Sequence, residues 1–363
     1  MTYYQVFFLP WYKVEKSITI GPVTLWSYEE ADSRIKDKEI RQWLDRYFKA
    51  YVDNTGKPVG TITVCSTKDD FVSRDNDFHN IRDAINCLIF AAIIPQTLNG
   101  VGSDNNSLAP PTSDLFELVN QRFVPDNDYI AVSTGSVFSG GLKIGQVFFS
   151  RPWAIGSLLI SIDGEILDGL NKCFYLDTSE DLRLRILRSL EWFRMAHIES
   201  QIDVLSRVVM MATAFEILLD IDNDKKARSF ANKLERIIAT ESFTKEKRKL
   251  GREYEERTIA YWWAFFFYQL RNGIVHGDII HNDQLIYRGW ITQQIVADIV
   301  FWEFLFYELL GKRWIGSKVH EFSSRLSDCC SESSDEELSL KYITGLLYGF
   351  SNIHRALGWI KLS

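Results

Sequence analysis

The feature that most constrains the fold of this chain is a change in the spacing of its apolar residues between positions 151 and 176. Before the change, short β-branched and aromatic runs end at Gly, Pro or Asn, which is typical of β-strands. After it, apolar residues recur every three or four positions, which predicts α-helices. A chain of 363 residues has room for two or three domains. We therefore expect an α+β protein with two domains, a mixed α/β sheet domain over 1–175 and an all-α helical bundle over 176–315.

The first domain is expected to contain a sheet and one or two helices. A helix is predicted over 79–93, after a possible N-cap at Asp77, and a polar loop over 97–114. The expected strands are the runs YYQVFFL, SITIGPVTLW, GTITVCS, QRFVP, YIAVST and KIGQVFFS. No known family is recognised in residues 1–150, so this domain is expected to sense, regulate or select a target through a ligand or partner.

The second domain is expected to be helical throughout, with short loops. The first helix carries the stripe Leu182, Ile186, Leu190 and Phe193 and has a capping signal at Thr178 or Ser179. No strand is expected in this half. The remaining predicted helices cover about 201–221, 224–240, 253–270 and 290–310. Residues 316–363 are expected to form a linker rich in Ser and acidic residues (323–337) and a last helix (336–350).

Composition excludes several classes of protein. The apolar runs are far shorter than the ~20 residues of a membrane-spanning helix, and no signal peptide is recognised, so we expect a cytoplasmic protein without membrane contact. The five cysteines form no CxxC pair, so we expect neither a disulfide framework nor a zinc site. No GxxxxGK[ST], GxSxG or HExxH motif is present. We expect no metal and no cofactor.

Charge is unevenly distributed along the chain. The formal net charge is −7, yet ten Lys or Arg stand against three Glu between Lys225 and Arg252, a local charge of +7. Basic clusters of this kind bind nucleic-acid phosphates, but the segment is equally well interpreted as a solvated helix end or loop. The candidate RNA-binding residues are Lys245, Lys247, Arg248, Lys249 and Arg252.

The segment QLRNGIVHGDII, residues 269–280, holds the strongest candidate for chemistry. On a continuous helix, Arg271 and His276 would lie about 140° apart, at ~100° per residue. A helix that ends or distorts near Gly273 would bring them together, and Gly277 is a natural stop after His276. Histidine exchanges protons near neutral pH, and arginine binds phosphate through paired hydrogen bonds. With Asn272 to orient either partner, these groups suit metal-independent RNA cleavage by the substrate's own 2′-hydroxyl.

An Arg, a polar residue and a His four to six residues later, within a helical bundle, resemble the motif of the HEPN superfamily. The fuller pattern Arg271-Asn272-x-x-x-His276-Gly277 is most similar to the Apea-like branch, as is the AFEILL segment around Glu216. The resemblance covers roughly residues 180–312. The loose Arg-to-His spacing also occurs at Arg74–His79 and Arg313–His320, but only the copy at Arg271 combines a polar follower, a later glycine and flanking helices.

The resemblance implies a metal-independent endoribonuclease that acts as a homodimer, with two motifs facing one cleft, and that serves as a toxin or in defence against phage. By the same resemblance, Arg271 and His276 match the catalytic pair and Asn272 the polar residue. The alternative is a HEPN domain without activity that dimerises or binds a nucleotide or protein. Glu216, on an apolar helix, is expected either to orient the catalytic pair or to make a structural polar contact.

Overall fold

The architecture is taken from a computed structural model of the chain. The structure describes residues 3–60, 62–67, 77–102, 112–134, 137–151, 162–175, 180–221, 226–238, 245–287 and 291–310. The predicted linker over 323–337, the last helix over 336–350, the capping residues Thr178 and Ser179, and both ends of the Arg313–His320 spacing lie outside these ranges.

The N-terminal half is built on a sheet, as the apolar runs predicted. Five antiparallel strands follow the order β2-β3-β5-β1-β6, β4 pairs with β9, and β7 forms a hairpin with β8. The strands are β1 Tyr4–Leu9, β2 Ile18–Ile20, β3 Val23–Ser27, β4 Tyr51–Val52, β5 Thr63–Ser66, β6 Val119–Phe123, β7 Tyr129–Thr134, β8 Val137–Lys143 and β9 Phe149–Ser150.

Helices cover both faces of this sheet. They are α1 Ala31–Arg34, α2 Lys38–Phe48, α3 Asp77–Gly102 and α4 Gly164–Cys173. Side chains alternate along a strand, so successive residues of β1 face opposite ways. Phe8 meets Phe48 of α2 at a ring distance of 4.8 Å, and Phe7 meets Phe78 of α3 at 6.0 Å. Strand β1 is therefore buried on both sides.

Three features of this half differ from the sequence prediction. Its described residues form four helices, where one or two were expected. Helix α3 continues to Gly102, whereas the sequence predicted that a loop would begin at residue 97. Helix α2 was not predicted, although its signals are present: the Asp37 carboxylate accepts hydrogen bonds from the N–H groups of Glu39 and Ile40, and one face is apolar. The buried residues of that face are Ile40, Trp43, Leu44, Tyr47 and Phe48.

The C-terminal half contains the predicted bundle together with two hairpins. Its elements are α5 Glu180–Ala196, α6 Val204–Leu219, α7 Lys226–Ile238, β10 Lys245–Leu250, β11 Glu253–Thr258, α8 Ile259–His276, β12 Ile286–Tyr287, β13 Ile291–Thr292 and α9 Gln293–Leu310. The expectation of an all-α domain is therefore wrong. The stretch from Glu253 to Thr258, predicted as the start of a helix, is a strand, and the helix begins at Ile259.

Helix α3 joins the two halves. Phe90 of α3 lies 5.0 Å from Phe193 of α5 and 4.8 Å from Trp302 of α9, measured between ring centroids. The buried apolar residues of both halves belong to one continuous cluster. The division at residue 175 stays a prediction, and helices on its N-terminal side pack directly on the bundle.

Candidate functional site

Helix α8 carries the Arg271-Asn272-x-x-x-His276 segment, and its ends are well defined. The Thr258 hydroxyl accepts a hydrogen bond from the Tyr261 N–H at the start. At the end, Gly277 has a φ of 81°, and the Asp278 N–H donates to the Gly273 carbonyl at 2.9 Å. This is a Schellman motif, so the stop predicted at Gly277 is confirmed.

The helix passes through Gly273 without a break, so the distortion that would bring Arg271 and His276 together is not found at this glycine. At ~100° per residue the two side chains leave different faces of α8. Gly273 has another use. A Cβ there would lie 3.1 Å from Asp278 Oδ2, so the glycine lets the chain after the helix fold back closely.

The Arg271 side chain is held by Glu216 of α6. Arg271 Nη2 lies 3.4 Å from Glu216 Oε1, and the guanidinium is 5.5 Å above the Tyr268 ring. The Tyr268 hydroxyl donates to the same oxygen at 2.6 Å, and Lys226 Nζ donates to Glu216 Oε2 at 3.0 Å. Burial, and then the hydrogen bond to Glu216, raise the pKa of Tyr268. Glu216 therefore contacts Arg271, Tyr268 and Lys226 together, and both roles expected for it stay predictions.

Asn272 and His276 lie one turn apart and share a face of α8. They line a cleft of about 540 Å³ between the first turn of α7 and the second half of α8. We call this cleft the motif groove; its walls are Lys226, Ala227, Arg228, Leu250, Phe265, Tyr268, Gln269, Asn272 and His276. Arg271 is absent from the walls but reaches them indirectly, because its Nη1 donates to Asn272 Oδ1 at 3.2 Å.

The charges of the motif groove are positive but partly compensated. Lys226 and Arg228 stand in the first turn of α7, where the helix dipole adds to their positive potential. Each has an acidic partner, Glu216 at 3.0 Å for Lys226 and Glu255 at 3.0 Å for Arg228. The exposed His276 has no such partner among the described residues. The groove therefore offers a proton-exchanging group beside cations that suit a phosphate.

The basic segment beside the motif groove forms the β10–β11 hairpin instead of a helix end or loop. Its inner face packs on α8, where the Arg248 guanidinium lies 5.3 Å from the Phe266 ring and 5.9 Å from the Trp262 ring. Arg248 also pairs with Glu246 at 2.6 Å. Arg248 is therefore engaged within the fold, whereas Arg252 is exposed in the hairpin turn.

The outer face of the hairpin carries the remaining predicted RNA-binding residues. Lys245, Lys247 and Lys249 alternate with inner residues and are exposed. Tyr254, opposite Lys249 in the ladder, is 64% exposed, and Lys247 Nζ lies 5.9 Å from its ring. We call these four residues the hairpin surface. Lysines around an exposed aromatic ring can bind phosphates and stack a base.

Most of the aromatic residues that the sequence offers as base-stacking candidates are buried. Trp262, Trp263, Phe265 and Phe267 are buried in the core, while Phe266 is 44% exposed under Arg248. Tyr268, the missed member of the site, lies one turn before Arg271, so helical spacing alone contained a signal for it. Of the Arg74–His79 spacing, only the exposed His79 is described.

Three cysteines are described, and Cys65, Cys87 and Cys173 are free and buried. Burial raises the pKa of each thiol, that of Cys173 to about 11. Within the described ranges, no three His, Cys, Asp or Glu side chains are grouped so that they could hold a metal ion. None of the described helices combines the length and apolar character needed to cross a membrane.

Comparison with protein-family models, with curated proteins and with solved structures gives no match to this chain. The HEPN resemblance therefore rests on the motif residues and the helices around them.

Proposed function

We propose that the chain is a metal-independent endoribonuclease of HEPN type whose reaction takes place in the motif groove. The observation that carries the proposal is that His276 and Asn272 line one groove together with Lys226 and Arg228. A ribonuclease of this type needs a proton-exchanging group beside a site for the scissile phosphate, and these residues supply both. The setting as a toxin or anti-phage effector rests on the family resemblance alone.

The proposed reaction is transesterification within the RNA. The 2′-oxygen attacks the adjacent phosphorus, the bond to the 5′-oxygen breaks, and the products are a 2′,3′-cyclic phosphate and a 5′-hydroxyl end. His276 exchanges a proton with the reacting oxygens, because an imidazole changes protonation near neutral pH. Lys226 and Arg228 bind the phosphate and stabilise the negative charge that grows on it.

Arg271 has a positioning role in this proposal. Its hydrogen bond to Asn272 Oδ1, 3.2 Å, holds the amide on the groove side of α8, and Glu216 holds Arg271 in turn. Loss of Arg271 would release Asn272 and leave Glu216 with Lys226 and Tyr268. We therefore expect Arg271→Ala to lower the cleavage rate by about 100-fold, since small misplacements of a site residue have effects of this size.

Cleavage assays of the full chain test the proposal. Wild type and His276→Ala are incubated with total RNA and with tRNA in excess EDTA, and the new ends are analysed for 2′,3′-cyclic phosphate. We expect cleavage by wild type and a loss of about 10²–10⁴-fold in His276→Ala, the usual contribution of general acid–base catalysis. His281→Ala is the matched control, because His281 is also exposed and lies five residues further on, outside the groove walls.

Two outcomes would contradict the proposal. Equal cleavage by wild type and His276→Ala would exclude the motif groove as the reaction site. Complete loss of cleavage when EDTA is added, with full activity in Mg²⁺, would exclude a metal-independent reaction. Toxicity on overexpression, relieved by His276→Ala but not by His281→Ala, is the corresponding result expected in cells.

A second function, a dimerisation or binding module without cleavage, is favoured by the apolar residues around the end of α8. Val275 and Ile279 flank His276 and are 52% and 84% exposed. Exposed apolar groups next to a polar site are typical of contact surfaces. A homodimer through the helical half would cover them, and Ile279→Glu is expected to convert it to a monomer in light scattering. A stable dimer that binds RNA but leaves it intact would favour this second function.

A further inference from the structure

A second hollow is lined by parts of the fold that take no part in the motif groove. Its walls come from the first half of α3, the segment 113–118 and the end of α5 with the residues that follow it. The volume is about 340 Å³, at the lower end of the range for small-molecule sites. We call it the α3–α5 cavity. It shares no wall residue with the motif groove.

Asn86 of α3 is the most informative residue of this cavity. The side chain is 1% exposed, and neither Oδ1 nor Nδ2 has a hydrogen-bond partner among the described residues. Buried amides nearly always find partners, because an unsatisfied group loses its hydration without compensation. The Asn86 amide therefore places an unpaired donor and an unpaired acceptor side by side in the cavity wall. Their desolvation lowers the stability of the ligand-free fold.

The charged residues of the wall are unequally engaged. Arg82 pairs with Glu191 at 3.1 Å, and the Asp114 carboxylate accepts hydrogen bonds from the N–H groups of Glu199 and Ser200. Arg194 forms no ion pair within 4 Å among the described residues, although the Glu191 carboxylate acts on it from a greater distance, and its Nε is buried without a hydrogen bond. Burial lowers the pKa of Arg194. The acids of the wall are thus satisfied by the fold, while one guanidinium remains available to an anion.

The apolar part of the wall is aromatic and aliphatic. Phe78 and Phe116 contribute rings from α3 and from the segment 113–118, and Ile85 and Ile198 contribute aliphatic groups. Aromatic rings stack favourably on planar ligands, so this part of the cavity suits a flat ring system. An Arg provides paired donors for a phosphate, and an amide provides a donor and an acceptor for the edge of a base.

We propose that the α3–α5 cavity binds a nucleoside monophosphate, with the Asn86 amide on the base edge and the Arg194 guanidinium on the phosphate. Such a ligand links α3 to α5 and satisfies the polar groups that the protein leaves open. The inference is independent of RNA cleavage, since the motif groove takes no part in it.

Thermal unfolding and calorimetric titration of the full chain test this proposal with four probes, AMP, GMP, CMP and UMP. At least one of them is expected to raise the Tm by about 3 °C or more at saturation, because a ligand that binds only the folded state stabilises it. The corresponding nucleoside and inorganic phosphate are expected to bind at least tenfold more weakly than the monophosphate.

Two variants locate the site. Asn86→Leu is expected to raise the Tm of the ligand-free protein and to abolish the response to the monophosphate. Arg194→Gln is expected to weaken binding at least tenfold. Arg188→Gln is the matched control, because Arg188 is exposed on the same helix α5 and lies outside the cavity, and it should leave binding within twofold of wild type.

Three results would overturn the proposal. The first is the absence of a Tm rise with all four monophosphates. The second is an undiminished response in both Asn86→Leu and Arg194→Gln, which would place the ligand elsewhere. The third is loss of the response in Arg228→Ala, which would assign it to the motif groove. If Asn86→Leu fails to fold, Arg194→Gln with its control decides the result.

Discussion

The motif groove and the α3–α5 cavity are both lined largely by helices, but they differ in whether their polar groups have partners within the protein. In the groove, Lys226 pairs with Glu216 and Arg228 with Glu255, each at 3.0 Å. In the cavity, Arg194 Nε and both polar atoms of the Asn86 side chain have no hydrogen-bond partner among the described residues. The cations of the groove have acidic partners without a ligand, whereas Asn86 in the cavity lacks a hydrogen-bond partner.

This difference predicts how each hollow contributes to stability. In the motif groove, the carboxylates of Glu216 and Glu255 pair with Lys226 and Arg228 and so stabilise the ligand-free fold. An anion that enters the groove competes with these carboxylates for the two cations. A ligand in the α3–α5 cavity meets polar groups that lack partners, so the ligand-free fold carries the cost of their desolvation. Removal of a polar group should therefore destabilise the first site and stabilise the second.

The largest effect is expected from Glu216→Ala. The carboxylate is 15% exposed and is shared by Arg271, Lys226 and Tyr268. Its removal leaves two partly buried cations without their partner, and we expect the free energy of unfolding to fall by about 3 kcal/mol. Urea denaturation followed by circular dichroism measures this change.

The control for that change is Glu253→Ala, which removes an exposed carboxylate from the β10–β11 hairpin. Its effect should stay within about 0.5 kcal/mol, as is usual for surface positions. A loss below 1 kcal/mol in Glu216→Ala would mean that solvent compensates the cations, and the contrast between the two hollows would then disappear.

An effect of opposite sign is expected from Asn86→Leu. Leucine is close to asparagine in size and has no hydrogen-bonding groups, so the cost of the unsatisfied amide is removed. We expect the free energy of unfolding to rise by about 1–2 kcal/mol. Differential scanning calorimetry of the ligand-free protein would detect this gain.

Asn80→Leu is the matched control for that gain, since Asn80 is exposed on the same helix α3. It reports the higher helix propensity of leucine, which amounts to a few tenths of a kcal/mol. If Asn86→Leu raises the free energy of unfolding no more than Asn80→Leu does, the Asn86 amide has hydrogen-bond partners in the ligand-free protein. The α3–α5 cavity would then carry no desolvation penalty.

The sequence predicts these two hollows to very different degrees. His276, Asn272 and the stop at Gly277 follow from one helix and its capping residue, which are local properties. Glu216 lies on another helix, α6, and its contact with Arg271 depends on how the two helices pack. The α3–α5 cavity collects side chains from positions 78–118 and 194–201, which only tertiary packing brings together. The apolar residues on both sides of Asn86 along the chain indicate that it is buried, but they do not indicate that it lines a cavity.

Two local predictions failed for physical reasons. The segment KEKRKL has no apolar alternation and low strand propensity, so it did not indicate β10. Its stabilising features are cross-strand pairs such as Lys247 opposite Glu256, together with Gly251 in the turn at a φ of 65°. The distortion considered at Gly273 is not found, because the α8 hydrogen bonds and close packing on Asp278 keep this glycine helical.

The smallest change in stability is expected from the hairpin surface. The triple variant Lys245→Ala, Lys247→Ala and Lys249→Ala removes exposed charges, so each change should stay within about 0.5 kcal/mol. Its effect on RNA binding should be large. Each lost phosphate contact lowers the slope of log K against log salt by about 0.7 for a single strand, so a loss of about 2 is expected.

Fluorescence anisotropy of a labelled single-stranded RNA across a KCl series measures this slope. The matched control is the triple variant Lys36→Ala, Lys38→Ala and Lys57→Ala, which removes the same charge from exposed positions of the N-terminal half. Equal slopes for the two variants would mean that net charge alone drives binding. A loss confined to the hairpin variant, with nucleoside monophosphate binding unchanged, would assign RNA to the groove side of the molecule and the small ligand to the α3–α5 cavity.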